Sequence, residues 1–354
     1  HGLVVVGLPA AVSVVLTVST PQIVRANDPA RFTPFNILTY STLTATVFYE
    51  DGSSRSFTAP SHDTRAVFTV TENADMISLA GTKVTANDVA IVPGTQATIV
   101  VTFPGVYEAL TASVQIEVVG LASMSISTVS YPICGSQQLK NTLKYIGCTA
   151  VYQRVYAIVE GVLTDGAKRD LTLFSTYWSN NSAVAEFVSI NNPVMAAKDE
   201  GVAGVVAVFQ GMTTAMSQGM YPVYVINKQA RVSNIHMSPT VGNTGSGTMT
   251  GVVDSSQPAG VTVHFDDGTC INDLVGGVTS QWLKVDDLVY LETSNPAVID
   301  VSADGYLHLR NNHYTTVAIS AHEKCGLNMS ASVNFYANLK PLPYDMDMGA
   351  TVGA

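Results

Sequence analysis

The sequence predicts an all-β protein made of several domains, and three observations lead to this prediction. Strand-like runs rich in Val, Ile, Thr, Tyr and Phe recur along the chain and are bounded by turn residues. No long segment combines helical periodicity with a helix start and a helix stop. The length of 354 residues is typical of about two to three domains, at roughly 100–200 residues each, and not of one undivided core.

Composition excludes several classes of protein. Hydrophobic residues make up 47% of the chain, which excludes a charge-rich disordered protein. Charged residues make up only 12%, about half the usual share, so Thr, Ser, Asn and Gly must supply most of the surface polarity. The formal charge is −10, and no Lys/Arg-rich patch is present to neutralise a row of phosphates. The sequence therefore predicts no nucleic-acid partner.

Uncharged stretches do not indicate a membrane span in this chain. Residues 3–24 carry no charge, but prolines and hydroxyl residues interrupt them. Residues 89–107 and 202–227 are equally uncharged, so such runs carry little information when charge is rare throughout. We expect no membrane insertion by this segment.

An internal repeat of about 110 residues organises the chain. Three Asp-Gly pairs, beginning at Asp51, Asp165 and Asp267, each follow a strand-like run and lie 114 and 102 residues apart. Residues 178–187 also align with residues 291–301, with Asn at a turn and Ala-Val in the strand after it. Each copy ends in a strand-like run that leads straight into the next copy.

The repeat register predicts the domain boundaries. Residues 9–120, 121–227 and 228–338 form three predicted domains. Residues 1–8 match the end of the first copy and are predicted to be the last strand of a preceding repeat, while residues 339–354 are predicted to be a connector. The linkers contain no Gly-rich or Pro-rich spacer, so we expect the domains to follow one another as a semi-rigid rod.

The pattern of about seven short strands per copy is typical of immunoglobulin-like β-sandwiches in tandem. Copy two carries a Trp-Ser pair at Trp178, and copy three carries an Ala-Asp-Gly turn at Asp304. Together with the Asp-Gly turns, these motifs resemble the bacterial Ig-like group 2 (BIG2) family, although the first copy has Thr69-Val70 where the Trp would fall. The resemblance implies a repeat protein of extracellular appendages, adhesin shafts or eukaryotic surface or lumenal glycoproteins.

Four cysteines, an even number outside any CxxC arrangement, predict disulfides: Cys134, Cys148, Cys270 and Cys325. Pairing within domains gives Cys134–Cys148 and Cys270–Cys325. The two other connectivities stay open, and both would cross-link different domains. Because the first domain has no cysteine, we expect it to melt first.

Two sequons predict N-glycosylation, at Asn180 and Asn328, each followed two residues later by Ser and without an intervening Pro. Disulfides persist in oxidising compartments, and N-glycans are added in the secretory pathway. We therefore expect an extracellular or cell-surface protein that passes through the secretory pathway, with a lumenal location as the alternative.

No constellation of residues predicts catalysis, a cofactor or a metal. The histidines occur singly, and His308 and His313 are the nearest pair in the sequence. The acidic pair Asp266-Asp267 is expected to be a solvated turn. Trp178 is expected to anchor the core between two sheets. The sequence therefore predicts a protein that is not an enzyme, with no catalytic, cofactor-binding or metal-binding residues.

The predicted function is structural. Tandem domains, short junctions and cysteines favour a non-enzymatic shaft segment of an extracellular filament, surface appendage or cell-surface stalk. Its expected partners are copies of itself or neighbouring Ig-like modules in a filament. The alternative is an adhesin or receptor ectodomain in which one domain binds a protein or glycan ligand.

Overall fold

A computed structural model describes residues 9–24, 36–58, 65–87, 89, 91–135, 138–209, 218–239, 247–272, 274–275 and 282–340. The predicted preceding strand at residues 1–8 lies outside them, as does the predicted connector beyond Lys340. Leu339, the first residue of that predicted connector, still belongs to the last strand. In the described part of the chain, no helix is both long enough and apolar enough to span a lipid bilayer.

Domain 1 has nine strands among its described residues. They are β1 (Ala11–Val18), β2 (Gln22–Val24), β3 (Tyr40–Tyr49), β4 (Ser54–Phe57), β5 (Val67–Glu72), β6 (Ile77–Ala80), β7 (Lys83–Ala86), β8 (Gln96–Thr102) and β9 (Thr111–Val119). One sheet has the order β1-β3-β7-β6, with β4 paired to β3, and the other has the order β2-β9-β8-β5. Both sheets contribute to one core that includes Leu43, Ile99 and Ile116.

Domain 2 repeats this arrangement. Its described strands are β10 (Leu121–Tyr131), β11 (Thr142–Ile146), β12 (Arg154–Leu163), β13 (Lys168–Asp170), β14 (Ser175–Ser179), β15 (Ala185–Ser189), β16 (Asn192–Ala197), β17 (Gly201–Phe209) and β18 (Gln218–Ala230). The sheets have the orders β10-β12-β16-β15, with β13 paired to β12, and β11-β18-β17-β14. A 3-10 turn at Thr172–Phe174 precedes β14.

Domain 3 follows the same plan with one interrupted strand. Its described elements are β19 (Val232–Ser238), β20 (Gly247–Gly251), β21 (Ser256–Pro258), β22 (Gly260–Phe265), β23 (Cys270–Ile271), α1 (Val285–Leu288), β24 (Val289–Thr293), β25 (Ile299–Val301), β26 (Tyr306–Leu309), β27 (Val317–Glu323) and β28 (Ser330–Leu339). The sheets are β20-β28-β27-β24, β19-β22-β23 and β21-β26-β25. Only Ala259 separates β21 from β22, which together occupy the place of β3 and β12.

The strand order identifies the fold of each domain. In every copy the first strand pairs antiparallel with the second long strand, and a short strand pairs in parallel with the last one. These are the A-B-E-D and A′-G-F-C sheets of an immunoglobulin-like sandwich. The predicted fold class, all-β with immunoglobulin-like sandwiches in tandem, is confirmed.

The Asp-Gly repeat has a local structural cause. Each pair forms the turn that follows β3, β12 or β22, and Gly52, Gly166 and Gly268 have φ angles of 79°, 84° and 80°. Glycine adopts this left-handed conformation without steric cost. In all three copies the Asp side chain accepts a hydrogen bond from the backbone N–H two residues later. The motif therefore marks the same turn in each domain.

Consecutive domains are joined with almost no linker. Only Gly120 lies between β9 and β10, and only Arg231 lies between β18 and β19. β18 passes through the second predicted boundary, at residue 227, and continues to Ala230. It does so because its last residues pair with Tyr145 and Ile146 of β11.

The expectation that Trp178 anchors the core is wrong. Trp178 is 42% exposed, and its neighbour Tyr177 is the buried aromatic side chain between the sheets. Successive residues of a strand point to opposite faces, so only one of the two can face the core. The Tyr177 hydroxyl donates a hydrogen bond of 2.5 Å to the carbonyl of Thr172, which satisfies its polar atom inside the domain.

Candidate functional site at the junction of domains 2 and 3

Two disulfides join domain 2 to domain 3. Cys134 is bonded to Cys270, with the Cα atoms 5.9 Å apart, and Cys148 is bonded to Cys325, with the Cα atoms 5.6 Å apart. The expectation that all four cysteines form disulfides is confirmed, but the pairing within domains is wrong. Both bonds cross the domain boundary.

The segment between β10 and β12 explains this connectivity. Its strand β11 runs in parallel with β18 as far as Ala230, the last residue of domain 2. Gly147 then donates a backbone hydrogen bond of 3.0 Å to the carbonyl of Ala230. The segment therefore carries Cys148 to the edge of domain 3, where the turn between β27 and β28 holds Cys325.

Apolar contacts make the cores of the two domains continuous. Ile146, in β11 of domain 2, is 1% exposed and belongs to the core of domain 3 together with Ala230. Val151 packs against the same core. By contrast Leu143, three residues earlier in the same strand, is buried in the core of domain 2. One short strand thus contributes to both cores.

A buried carboxylate connects the domains through polar contacts. Asp267, in the Asp-Gly turn of domain 3, has a side chain that is only 6% exposed. Its Oδ2 accepts hydrogen bonds from Lys140 Nζ at 2.6 Å and from Gln153 Nε2 at 3.1 Å, both in domain 2. Lys144 Nζ lies 3.7 Å from the same oxygen. Oδ1 accepts from the backbone N–H and hydroxyl of Thr269. The expectation of a solvated turn is therefore wrong for Asp267.

These contacts change the titration of the carboxylate. Burial alone would raise the pKa of Asp267, but hydrogen bonds from Lys140 and Thr269 and the positive charge of Lys140 outweigh that effect. The pKa of Asp267 is therefore held well below its usual range. Asp267 stays ionised, and its charge is compensated by domain 2.

An aromatic contact lies beside the Cys134–Cys270 bond. The guanidinium of Arg154, on β12, sits over the ring of Trp282 in domain 3, 4.5 Å from the ring centre. Such a contact between a cation and an aromatic face is favourable, and more so when water is excluded. Burial lowers the pKa of Arg154, although a guanidinium remains charged at neutral pH. The contact between Arg154 and Trp282 therefore favours one orientation of domain 3 relative to domain 2.

The junction between domains 1 and 2 is built differently. All four cysteines are used at the other junction, so no disulfide is available here. Val24 and Val119 of domain 1 are fully buried and belong to the core of domain 2. Gly120 donates a hydrogen bond of 3.0 Å to the Thr164 hydroxyl and accepts one of 2.9 Å from the Thr164 N–H. Buried apolar side chains and these two hydrogen bonds therefore join domains 1 and 2, without a disulfide.

The other predicted site residues lie apart from this junction or at its edge. Asn180 is exposed and follows β14, and Asn328 is exposed in the turn between β27 and β28 with a φ of 56°. In the described part of the chain, the single cluster with metal-ligand chemistry is Glu323 with Cys148 and Cys325, whose sulfurs are bonded to each other. That cluster therefore offers no thiolate to an ion.

No protein-family model and no curated protein match this chain. Among solved structures it is similar to domains 1–6 of the surface layer protein SbsC, with 13% identity, 94% of this chain and 41% of that chain covered, and a TM-score of 0.26.

Two further solved structures are similar over most of the chain. The three N-terminal domains of the bacteriophage RB49 outer capsid protein Hoc have 10% identity, cover 94% of this chain and 100% of that chain, and give a TM-score of 0.33. Invasin, a bacterial integrin-binding protein, has 13% identity, with 93% and 60% covered and a TM-score of 0.23. This chain spans about two fifths of the surface layer protein chain. The fold itself rests on the strand order, which defines a protein of tandem immunoglobulin-like domains.

Proposed function

We propose that this chain is a non-enzymatic shaft segment of an extracellular filament, surface appendage or cell-surface stalk. The observation that carries the proposal is the pair of disulfides between domains 2 and 3. A receptor that must reorient its domains has no use for two covalent bonds across a domain boundary. A shaft that must transmit force without bending benefits from such bonds.

The location follows from the same bonds. Structural disulfides persist in oxidising compartments and are rare in the reducing cytosol. The low content of charged residues and the two exposed sequons agree with a secreted, N-glycosylated protein. The resemblance to BIG2 repeats supports the same interpretation, because such repeats form shafts in surface appendages and adhesins.

Other contacts of the junction support stiffness. Ile146 buries a side chain of domain 2 in the core of domain 3, and Asp267 fixes the polar side of the same junction. A hinge would need few buried contacts between the domains. We propose copies of this chain or neighbouring Ig-like modules as the partners of the shaft.

Immunogold electron microscopy of the native material tests the proposal. Antibodies raised against domain 1 should label long fibres at a regular spacing along their length. Labelling only at a fibre tip, or only of single short particles, would overturn the shaft function and favour an adhesin.

An adhesin or receptor ectodomain is the second candidate, and one observation favours it. The outer face of the β14-β17-β18 sheet of domain 2 carries exposed apolar side chains, including Trp178 and Met220. Exposed apolar surface of this kind marks binding sites on many proteins. Binding of a protein or glycan to domain 2, lost on Trp178→Ala, would support this candidate.

A further inference from the structure

Three neighbouring strands of domain 2 present an outward patch without charge, and Lys144, on the adjacent strand β11 of the same sheet, lies near Asp267. Strands β14, β17 and β18 turn alternate side chains away from the core. We call this outward set the Trp178 face. It consists of Thr176, Trp178, Val202, Gly204, Val206, Val208, Met220, Pro222 and Tyr224. Trp178 is 42% exposed and Met220 is 69% exposed. Val206, which pairs with both, is only 4% exposed because they flank it. The Trp178 face is therefore apolar and only partly buried.

Asn180 extends this face by one position. Its backbone N–H donates a hydrogen bond of 3.1 Å to the carbonyl of Gly204, which continues the pairing of β14 with β17 beyond Ser179. Residues two apart in a strand point to the same side, about 6.7 Å from each other along the strand. The Asn180 side chain therefore lies on the same side of the sheet as Trp178.

The side-chain amide of Asn180 is held in one orientation. The N–H of Gly204 donates a hydrogen bond of 2.5 Å to Oδ1 of Asn180. Nδ2, the atom to which an N-glycan is attached, takes part in no hydrogen bond among the described residues. A Cβ at position 204 would lie 2.8 Å from Nδ2, so the glycine leaves room for this amide to lie across the sheet. Glycosylation of Nδ2 keeps Oδ1 as an acceptor, so the orientation is retained.

We propose that the glycan attached to Asn180 covers the Trp178 face. The inference depends on the proposed function only because N-glycosylation requires the secretory pathway. The CH-bearing faces of sugar rings pack against aromatic and apolar side chains, while their hydroxyls stay in water. The face has no charged group to favour an ionic partner, and its covering group is attached at its own edge. Glycosylation thus masks an apolar surface that would otherwise make copies of the chain associate.

The second sequon provides a matched control. Asn328 lies in the turn between β27 and β28, with a left-handed φ of 56°. A glycan there is attached to domain 3, in the turn that also holds Cys325, and not to the strand that carries Trp178. Ser182→Ala and Ser330→Ala each remove one sequon and leave both asparagines in place.

Hydroxyl-radical footprinting of the full chain, secreted from a eukaryotic host, tests the inference, with glycopeptide mass spectrometry to measure occupancy. In Ser182→Ala, Trp178 and Met220 should oxidise at least about twofold faster than in the wild type, because a bulky glycan has been removed. Tyr314, which is fully exposed, should not change, and Ser330→Ala should change none of the three rates.

Two results would overturn the inference. One is an unoccupied Asn180, which would leave the face free for a protein partner. The other is an occupied Asn180 with unchanged oxidation of Trp178 and Met220 in Ser182→Ala. Neither result bears on the shaft itself, because immunogold labelling of fibres is read independently of Asn180.

Discussion

Mechanical extension of single molecules gives the sharpest test of the junction. When the chain is pulled by its ends, force follows the shortest covalent path. The Cys148–Cys325 bond removes 177 residues from that path. At about 3.5 Å per extended residue, this corresponds to roughly 620 Å of chain that cannot extend while the bond is intact.

The two bonds should contribute unequally. Cys134–Cys270 encloses 136 residues, but the two loops interleave, and from Cys134 the route through Cys148–Cys325 is shorter than the route through Cys270, so Cys134–Cys270 bears no load while both bonds are intact. Removing it with Cys134→Ser and Cys270→Ser should therefore leave the hidden length unchanged. Removing Cys148–Cys325 instead should reduce the hidden length from about 620 Å to about 480 Å, because the remaining bond then sets the path.

Force spectroscopy with handles at both ends measures these lengths as the total contour on full extension. Reduced protein, in which both bonds are open, gives the full contour length, from which the hidden length of the oxidised protein is subtracted. Disulfides within the domains would hide only 14 and 55 residues, together about 240 Å. A hidden length near that value in the oxidised wild type would refute the connectivity and the reasoning about the shaft.

Three further predictions concern stability. Asp267→Asn should destabilise the junction by about 1–3 kcal/mol at neutral pH. Because the folded pKa of Asp267 is lowered, this difference in thermal unfolding should begin to shrink as the pH falls below about 4, the ordinary pKa of an Asp, and should vanish only once the pH has also passed below the lowered folded pKa. Ile146→Ala should lower the free energy of unfolding by about 2–5 kcal/mol and speed amide exchange in domain 3. The matched Leu143→Ala should instead speed amide exchange in domain 2, and hydrogen-exchange mass spectrometry measures both effects. In calorimetry domain 1 should melt first, and domains 2 and 3 should melt together at a higher temperature. Each disulfide alone adds about 5 kcal/mol to the stability of domains 2 and 3 in the chain-entropy model. Two separate upper transitions in the oxidised protein would contradict this prediction.

The fold could be predicted from the sequence because its signals are local. The Asp-Gly turns require a left-handed glycine and an Asp acceptor, and both requirements are met within three residues. Strand alternation and the repeat length then limit the architecture to tandem sandwiches. Each of these features depends on neighbours in the sequence.

The features that the sequence analysis missed depend on contacts between distant residues. Whether Tyr177 or Trp178 faces the core is decided by the pairing of β14 with β17, not by the Trp-Ser motif. Asp267 is buried because Lys140 and Gln153, more than 100 residues earlier, reach it from another domain. One signal was available: Lys140 and Lys144 are two of only 17 basic residues and lie between the cysteines of domain 2.

The disulfide pairing was predicted wrongly because domains were assumed to be closed units. That assumption fails where strand β11 ends in the core of the next domain, since a cysteine two residues beyond Ile146 is then nearer to domain 3 than to its sequence neighbour Cys134. Repeat boundaries locate the folding units, but they do not locate the surfaces that those units share. Here the segment between the first two long strands of domain 2 is the part that domain 3 shares.

The connectivity also determines which strands bear tension in a shaft. Force that enters domain 2 passes along β10 and β11 to Cys148, crosses to Cys325 and leaves along β28. Strands β12 to β18 and β19 to β27 lie outside this path, within the 177 residues that the bond encloses. The pairings of β10 with β12, of β11 with β18 and of β28 with β27 therefore bear the load, whereas pairings such as that of β14 with β17 join two strands that both lie off the path. The Cys148–Cys325 bond thus prevents the enclosed residues from extending along the line of force. The proposed shaft requires this property, whereas a receptor that reorients its domains would be hindered by it.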